Sequence, residues 1–105
     1  MKLTDKQRQS LQNASGLGKR VKFAYPGEGQ WEGNIEDEVS VVCDRYKYVL
    51  QKLVADDQSI QYRFGYYVFS TQVKRVMWVQ RALVMTASDT KELLGKAIKK
   101  GWNIT

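Results

Sequence analysis

Few residues in this 105-residue chain could do covalent chemistry: there is no histidine and a single cysteine, Cys43. Without histidine there is no Ser-His or Cys-His nucleophile and no His-ligated zinc or iron site. One cysteine excludes zinc clusters and iron–sulfur centres as well, and no neighbour in sequence would lower its pKa, so Cys43 reads as a small buried apolar residue. The remaining catalytic pattern is Asp89-Thr90-Lys91, the D-x-K spacing of a metal-dependent nuclease. There a carboxylate binds Mg²⁺ and a lysine assists the attacking water. Such a site needs another carboxylate from an adjacent strand, for which Asp44 and Asp57 are the candidates. Asp89 is better explained as a helix cap, by roughly ten to one on cap preferences. We therefore expect no enzyme, no cofactor and no bound metal, with the nuclease as the minor alternative.

Binding chemistry is better represented. Seventeen Lys and Arg stand against eleven Asp and Glu, a net charge of +6. Residues 21–40 carry Lys22 against Glu28, Glu32, Glu36, Asp37 and Glu38, a local balance of −4. The positive excess lies elsewhere: Lys2, Lys6, Arg8, Lys19 and Arg20 at the start, Lys74 and Arg75 in the middle, and Lys96, Lys99 and Lys100 near the end. Clustered cations grip phosphates and supply most non-specific nucleic-acid affinity. In residues 60–69, Ile60, Tyr62, Phe64, Tyr66 and Val68 alternate with Gln61, Arg63, Gly65, Tyr67 and Phe69. The first set is expected to face the core, which leaves Arg63, Tyr67 and Phe69 to stack bases. "RFGYYVF" superficially resembles the stacking strand of RNA-recognition-motif domains. However, Tyr67 occupies that motif's aliphatic position, and the βαββαβ order is absent.

The elements that must position these residues are legible from periodicity. Thr4-Asp5-Lys6-Gln7 has capping-box spacing and predicts a short helix over about residues 5–13. Its apolar residues are Leu11 and Ala14, so residues 1–17 are expected to form a loosely held basic arm. Residues 21–25 alternate with period 2, Tyr25-Pro26-Gly27-Glu28 fits a type II turn, and Trp31, Gly33 and Ile35 alternate with Glu32, Asn34 and Glu36. A bulge or break at Asp37-Glu38 would keep Asp37 from pointing inward. Further strands are predicted over residues 46–55, 60–69 and 73–85, the last apolar on both faces and therefore central or covered by a helix. A helix follows at about residues 89–100, capped by Asp89 or Ser88, with Leu93, Leu94, Ala97 and Ile98 as its apolar stripe. Gly101 serves as the left-handed C-terminal residue and Trp102 as its packing partner. Interior Gly95 would let that helix approach the sheet closely.

The "VKFAYPGEGQWEGNIEDE" run, Val21–Glu38, resembles the opening hairpin of a Tudor-like small β-barrel. That resemblance implies an aromatic cage for a cationic side chain, which here would use Tyr25, Trp31 and Tyr46 or Tyr48, with Glu28 or Glu32 as the acid. A cage ring within about 6 Å of a cation contributes about 0.5–2 kcal/mol.

The expected fold is mainly β within the α+β class. It is a small bent antiparallel sheet or half-open barrel of five to six strands, with a C-terminal helix packed on it and a short N-terminal helical arm. Residues 18–105 form its single domain. The expected function is a non-catalytic binding module for nucleic acid or a nucleic-acid-bound complex, acting through Arg8, Lys19, Arg20, Arg63, Tyr67, Lys74, Arg75, Lys96, Lys99 and Lys100. The alternative is a protein or peptide module using Tyr25, Trp31, Tyr46 and Tyr48 or a sheet edge, or a homo-oligomer built on its aromatics. With no apolar run long enough for a membrane span or a signal peptide, the expected location is the cytoplasm.

Overall fold

The computed structural model describes residues 2–25, 29–79 and 85–102, with the backbone alone at 23–25 and 29. The element order is α1 (Asp5–Asn13), β1 (Arg20–Tyr25), β2 (Gly29–Cys43), β3 (Tyr46–Ala55), β4 (Ile60–Ser70), β5 (Arg75–Val79) and α2 (Ala87–Lys99). The strands form one five-stranded antiparallel sheet in the order β1-β2-β3-β4-β5. This is the mainly β, α+β architecture expected. The predicted turn at residues 25–28 and the predicted strand at 80–84 lie outside the described residues.

The chain divides into two compact units, and the division cuts through β2, β3 and β4 instead of falling at a linker. The larger comprises Met1–Ala14, Val39–Leu50 and Phe64–Thr105; the smaller comprises Ser15–Glu38 and Gln51–Arg63.

In the larger unit, α1 begins with the predicted capping box. Thr4 Oγ1 accepts from Gln7 N at 3.1 Å, and Thr4 N donates to Gln7 Oε1 at 3.0 Å. The expectation of a loosely held arm undercounted its apolar face. Leu3, just before the cap, joins Leu11 in a buried cluster with Val49, Tyr67 and Phe69, edged by Ala14, Val76 and Trp78. A helix of nine residues is marginal alone, so its stability comes from this docking. No basic residue lies in its last turn. Buried Lys47 of β3 supplies the missing cation: its Nζ donates to Gln12 O at 2.8 Å and to Ala14 O, satisfying carbonyls at the negative end of the helix.

The faces of β4 are the reverse of those expected. Gly65, Tyr67 and Phe69 are buried, whereas Ile60 and Phe64 are exposed. Alternation identifies a strand, but which face is covered depends on what docks, and here α1 and Trp78 take the odd-numbered side. Trp78 packs on the Tyr67 ring with centroids 4.9 Å apart and lies over Gly65, where a Cβ would come within 2.2 Å of the indole. Strand β5 is likewise not a central, doubly covered strand. It is the edge, with Met77 exposed.

Helix α2 starts earlier than predicted. Its N-cap is Thr86, whose Oγ1 accepts from Asp89 N at 3.1 Å; neither Asp89 nor Ser88 is the cap. Leu93 and Ala97 are fully buried, but Ile98 is exposed. The C-terminus closes as predicted: Gly101 has φ +81°, Gly101 N donates to Ile98 O at 2.9 Å, and Trp102 N donates to Ala97 O at 3.1 Å. Gly95 does not mediate a close approach, because a Cβ there would meet open space.

In the smaller unit, β1 pairs with β2 from Arg20↔Asn34 to Tyr25↔Gly29. At Gly33 a Cβ would meet Val54 O at 2.2 Å, and Asp56 N donates to Glu32 O at 2.8 Å. The end of β3 therefore crosses directly over a strand position that only glycine can occupy. Strand β2 does not break at Asp37-Glu38; the Asp37 carboxylate instead accepts Glu38 N at 2.8 Å. Buried Gln51 anchors a polar network here. It donates to Glu38 Oε2 at 2.8 Å and accepts from Arg63 Nε at 2.7 Å, and Gly16 N also reaches Glu38 Oε2, at 3.2 Å.

Candidate nucleic-acid interface

Charge is segregated between the units. The larger holds twelve Lys and Arg against four Asp and Glu, a balance of +8. The smaller holds five against seven, a balance of −2. Two of the cations expected to bind nucleic acid, Arg20 and Arg63, are consumed inside the smaller unit. Arg20 grips Asp56 with both terminal nitrogens (Nη1 to Oδ1, 2.7 Å) and reaches Glu32 at 3.4 Å, while Lys22 pairs with Glu32 at 3.5 Å and Lys52 with Glu36 at 3.2 Å. Beside Arg20 the Asp56 carboxyl is held below its ordinary range, and the guanidinium is pushed up in return. Arg63 donates into the buried Gln51 network. Lys19 is exposed.

In the larger unit the cations are largely uncommitted. Arg8, Lys74, Arg75 and Lys99 are exposed and make no ion pair among the described residues. Lys96, like buried Lys47, is engaged: it donates to Ser40 O at 2.7 Å and pairs with Glu92 at 3.4 Å one turn away. Lys100 caps the exposed C-terminal end of α2. Tyr67, expected to stack bases, is buried in the core with Phe69 and is therefore withdrawn from any solvent-facing role.

The first and middle basic stretches of the chain meet at one concavity of about 580 Å³, lined by Lys6, Gln7, Ser10, Phe69, Thr71 and Lys74. Lys6 and Ser10 lie one turn apart on α1 and so share a face. Thr71 and Lys74 come from the turn between β4 and β5, in which Lys74 adopts φ +53°. Two ammonium groups and two hydroxyls around one hollow suit a phosphate, which accepts hydrogen bonds at every oxygen. Sequence reasoning had Lys6 and Lys74 only as members of separate basic stretches. The i, i+4 spacing of Lys6 and Ser10 was a usable signal, whereas their approach to the β4–β5 turn is tertiary.

The aromatic residues expected to form a cage fall in different units. Trp31, half-buried, lines a 280 Å³ concavity with Gln30, Glu32, Ala55, Asp56 and Asp57 in the smaller unit. The side chain of Tyr25 lies outside the described residues. Tyr46 and Tyr48 belong to the larger unit and stack on each other, with centroids 6.2 Å apart.

Cys43 is exposed, not buried. Local desolvation and then the Asp89 carboxylate, which accepts its S–H, push its thiol up; the neighbouring Tyr48 phenol is raised by partial burial, Cys43 and Asp89. Asp89 and Lys91 stand two residues apart on α2, where side chains diverge, so the D-x-K pattern does not converge on one point. Among the described residues no group of three or more acidic, Cys or His side chains is placed to hold a metal ion, and no helix is long and apolar enough to cross a membrane. Comparison with family models, curated proteins and solved structures finds no match for this chain.

Proposed function

We propose that the protein is a non-catalytic module that associates with nucleic acid through its larger unit. The observation that carries this reading is the convergence of Lys6 and Lys74 with Ser10 and Thr71 on one concavity of a unit carrying +8. Phosphate contacts supply most non-specific affinity, and a concentrated field raises the encounter rate with a polyanion. The neighbouring exposed Arg8 and Arg75 extend the same field. The single cysteine fits a reducing compartment such as the cytoplasm.

The competing reading, a peptide module at Trp31, has weaker support. Glu32 and Asp56 beside that ring already pair with Arg20 and Lys22, so an incoming cation would have to displace them.

Anisotropy titration of labelled oligonucleotides over a range of salt concentrations tests the proposal. Binding should weaken steeply with salt. The double variant Lys6→Gln/Lys74→Gln should lower the slope of log K against log salt by about 2, close to one for each phosphate no longer neutralised. Absence of binding at low salt overturns the proposal. Binding that is unchanged in the double variant removes the concavity from it.

A further inference from the structure

The part of the sheet that belongs to the larger unit has two unlike faces. Helix α1 and Trp78 cover one, and the first turn of α2 reaches the other at Tyr48 and Cys43. On the other, the register pairs Val68 with Met77 and Tyr66 with Val79, and Phe64 precedes Tyr66 by two residues on the same side of β4. Phe64 is 42% exposed and Met77 38% exposed, while Tyr46, Tyr48 and Tyr66 are half-buried. The three tyrosine rings form a contiguous row: Tyr46 lies parallel to Tyr48 within 2°, and Tyr66 meets Tyr46 edge-on with centroids 5.7 Å apart.

Cations border this row. The Arg45 guanidinium lies 5.5 Å from the Tyr46 ring centroid. Arg75 shares the parity of Met77 on β5 and is exposed, next to Lys74 of the Lys6–Lys74 concavity. One carboxylate approaches the row: Asp89, in the first turn of α2, acts on Tyr48 and Cys43.

Exposed Phe64 and Met77 beside three half-buried tyrosines call for an occupant, and charge complementarity selects among the candidates. A second copy would bring a unit of +8 against another of +8, which repels. A polyanion with flat apolar faces satisfies both features at once. Unpaired bases stack on aromatic side chains without regard to sequence, while a duplex keeps its base faces hidden.

We propose that the Phe64–Tyr66 face is a stacking platform for the unpaired bases of a single-stranded nucleic acid, with Arg75 and Lys74 taking backbone phosphates at its edge. The inference rests on the nucleic-acid reading above and narrows it to single strands. It also moves stacking from Arg63, Tyr67 and Phe69 to the opposite face of the same strand.

The test uses the full chain with a labelled oligo-dT and a labelled duplex of equal length. The wild-type chain should prefer the single strand. Phe64→Ala should weaken single-strand binding roughly 5- to 150-fold, the effect of removing the stacking of one base, and leave duplex binding unchanged. Phe64→Leu, which keeps the bulk and the fold, should show the same loss, and Phe64→Trp should retain affinity. Thermal melts of each variant separate impaired stacking from unfolding. Duplex binding equal to or tighter than single-strand binding, or single-strand binding indifferent to Phe64→Leu, overturns this inference while leaving the nucleic-acid reading intact. Self-association that Phe64→Leu abolishes, with oligo-dT affinity unchanged, also overturns it and makes the face an interface between copies. No binding of either probe overturns the nucleic-acid reading and this inference together.

Discussion

In the smaller unit Arg20, Lys22 and Lys52 each lie against a carboxylate and Arg63 donates into a buried amide, whereas in the larger unit Lys6, Arg8, Lys74, Arg75 and Lys99 stand exposed with no ion pair among the described residues. The contrast is not one of charge count alone. The smaller unit uses polar groups to hold its own strands together: Arg20 ties β1 to the β3–β4 turn, and Gln51 links Glu38 to Arg63. The larger unit relies on apolar docking, through Leu3 and Leu11 of α1 and Leu93 and Ala97 of α2, and leaves most of its cations facing water. A surface that carries +8 without compensation raises self-repulsion, and an arriving polyanion relieves it.

The sharpest way to break this comparison is to remove the apolar anchor of the larger unit. Leu11 is fully buried, and Leu11→Ala should cost about 2–5 kcal/mol in denaturant unfolding, the transfer energy of the deleted atoms plus a cavity. If α1 were a loose arm, the substitution would be nearly silent. Because Lys6 and Ser10 ride on the same helix, the variant should also weaken oligonucleotide binding at temperatures where the sheet is still folded.

A pair of glycines compares the two units directly. A methyl at Gly33 in the smaller unit meets the Val54 carbonyl at 2.2 Å, and backbone cannot step aside. A methyl at Gly65 in the larger unit meets the half-buried Trp78 ring, a side chain that can turn about its own torsions where backbone cannot. Gly33→Ala should therefore cost about 3 kcal/mol, at the upper end of overpacking effects, and Gly65→Ala about 1 kcal/mol. Thermal melts that reverse this order would show that Trp78 is held as rigidly as the backbone.

What the sequence disclosed follows the range of each interaction. Thr4 with Gln7, and Gly101 with Trp102, act within one or two turns, and both motifs form as their spacing predicts. Strand β3 begins and ends at Tyr46 and Ala55, where the turn residues place its limits. Apart from the α2 cap, where Thr86 takes Asp89 N in place of Asp89 or Ser88, the errors are tertiary. Aromatics on both sides of β4 obscure which side is covered, because Leu3 and Leu11 come from outside the sheet to decide it. Gly95 reads as a packing residue until the helix is seen to turn it to solvent. Arg20 meets Asp56 across 36 residues, and Lys47 meets Ala14 across 33, distances at which local pattern carries no information. The candidate site was least legible, since a hollow built from α1 and a distant turn exists only after folding.

The smallest expected effect concerns how each unit answers pH. The Arg20 guanidinium holds the Asp56 carboxyl below its ordinary range, and hydrogen bonds from Ser59 do the same for Asp57. A carboxyl depressed in the folded state stabilises above its unfolded pKa, near 4, and loses that contribution as pH falls through the folded value. Asp56→Asn should therefore flatten the fall of melting temperature in the acid range and leave the alkaline side unchanged. In the larger unit the sign is opposite. The Cys43 thiol is raised, so its contribution is complete below the ordinary thiol range and fades as pH climbs through the raised value; Cys43→Ser should alter only the alkaline limb. Both effects are modest because these groups are solvent-facing, and added salt should shrink the Asp56 effect further. Melts from acid to alkali at low and high salt check both signs. An Asp56→Asn curve that parallels the parent in acid would mean that the Arg20 pair contributes nothing in solution, leaving Arg20 as available to a phosphate as Lys74 and removing the difference between the two units.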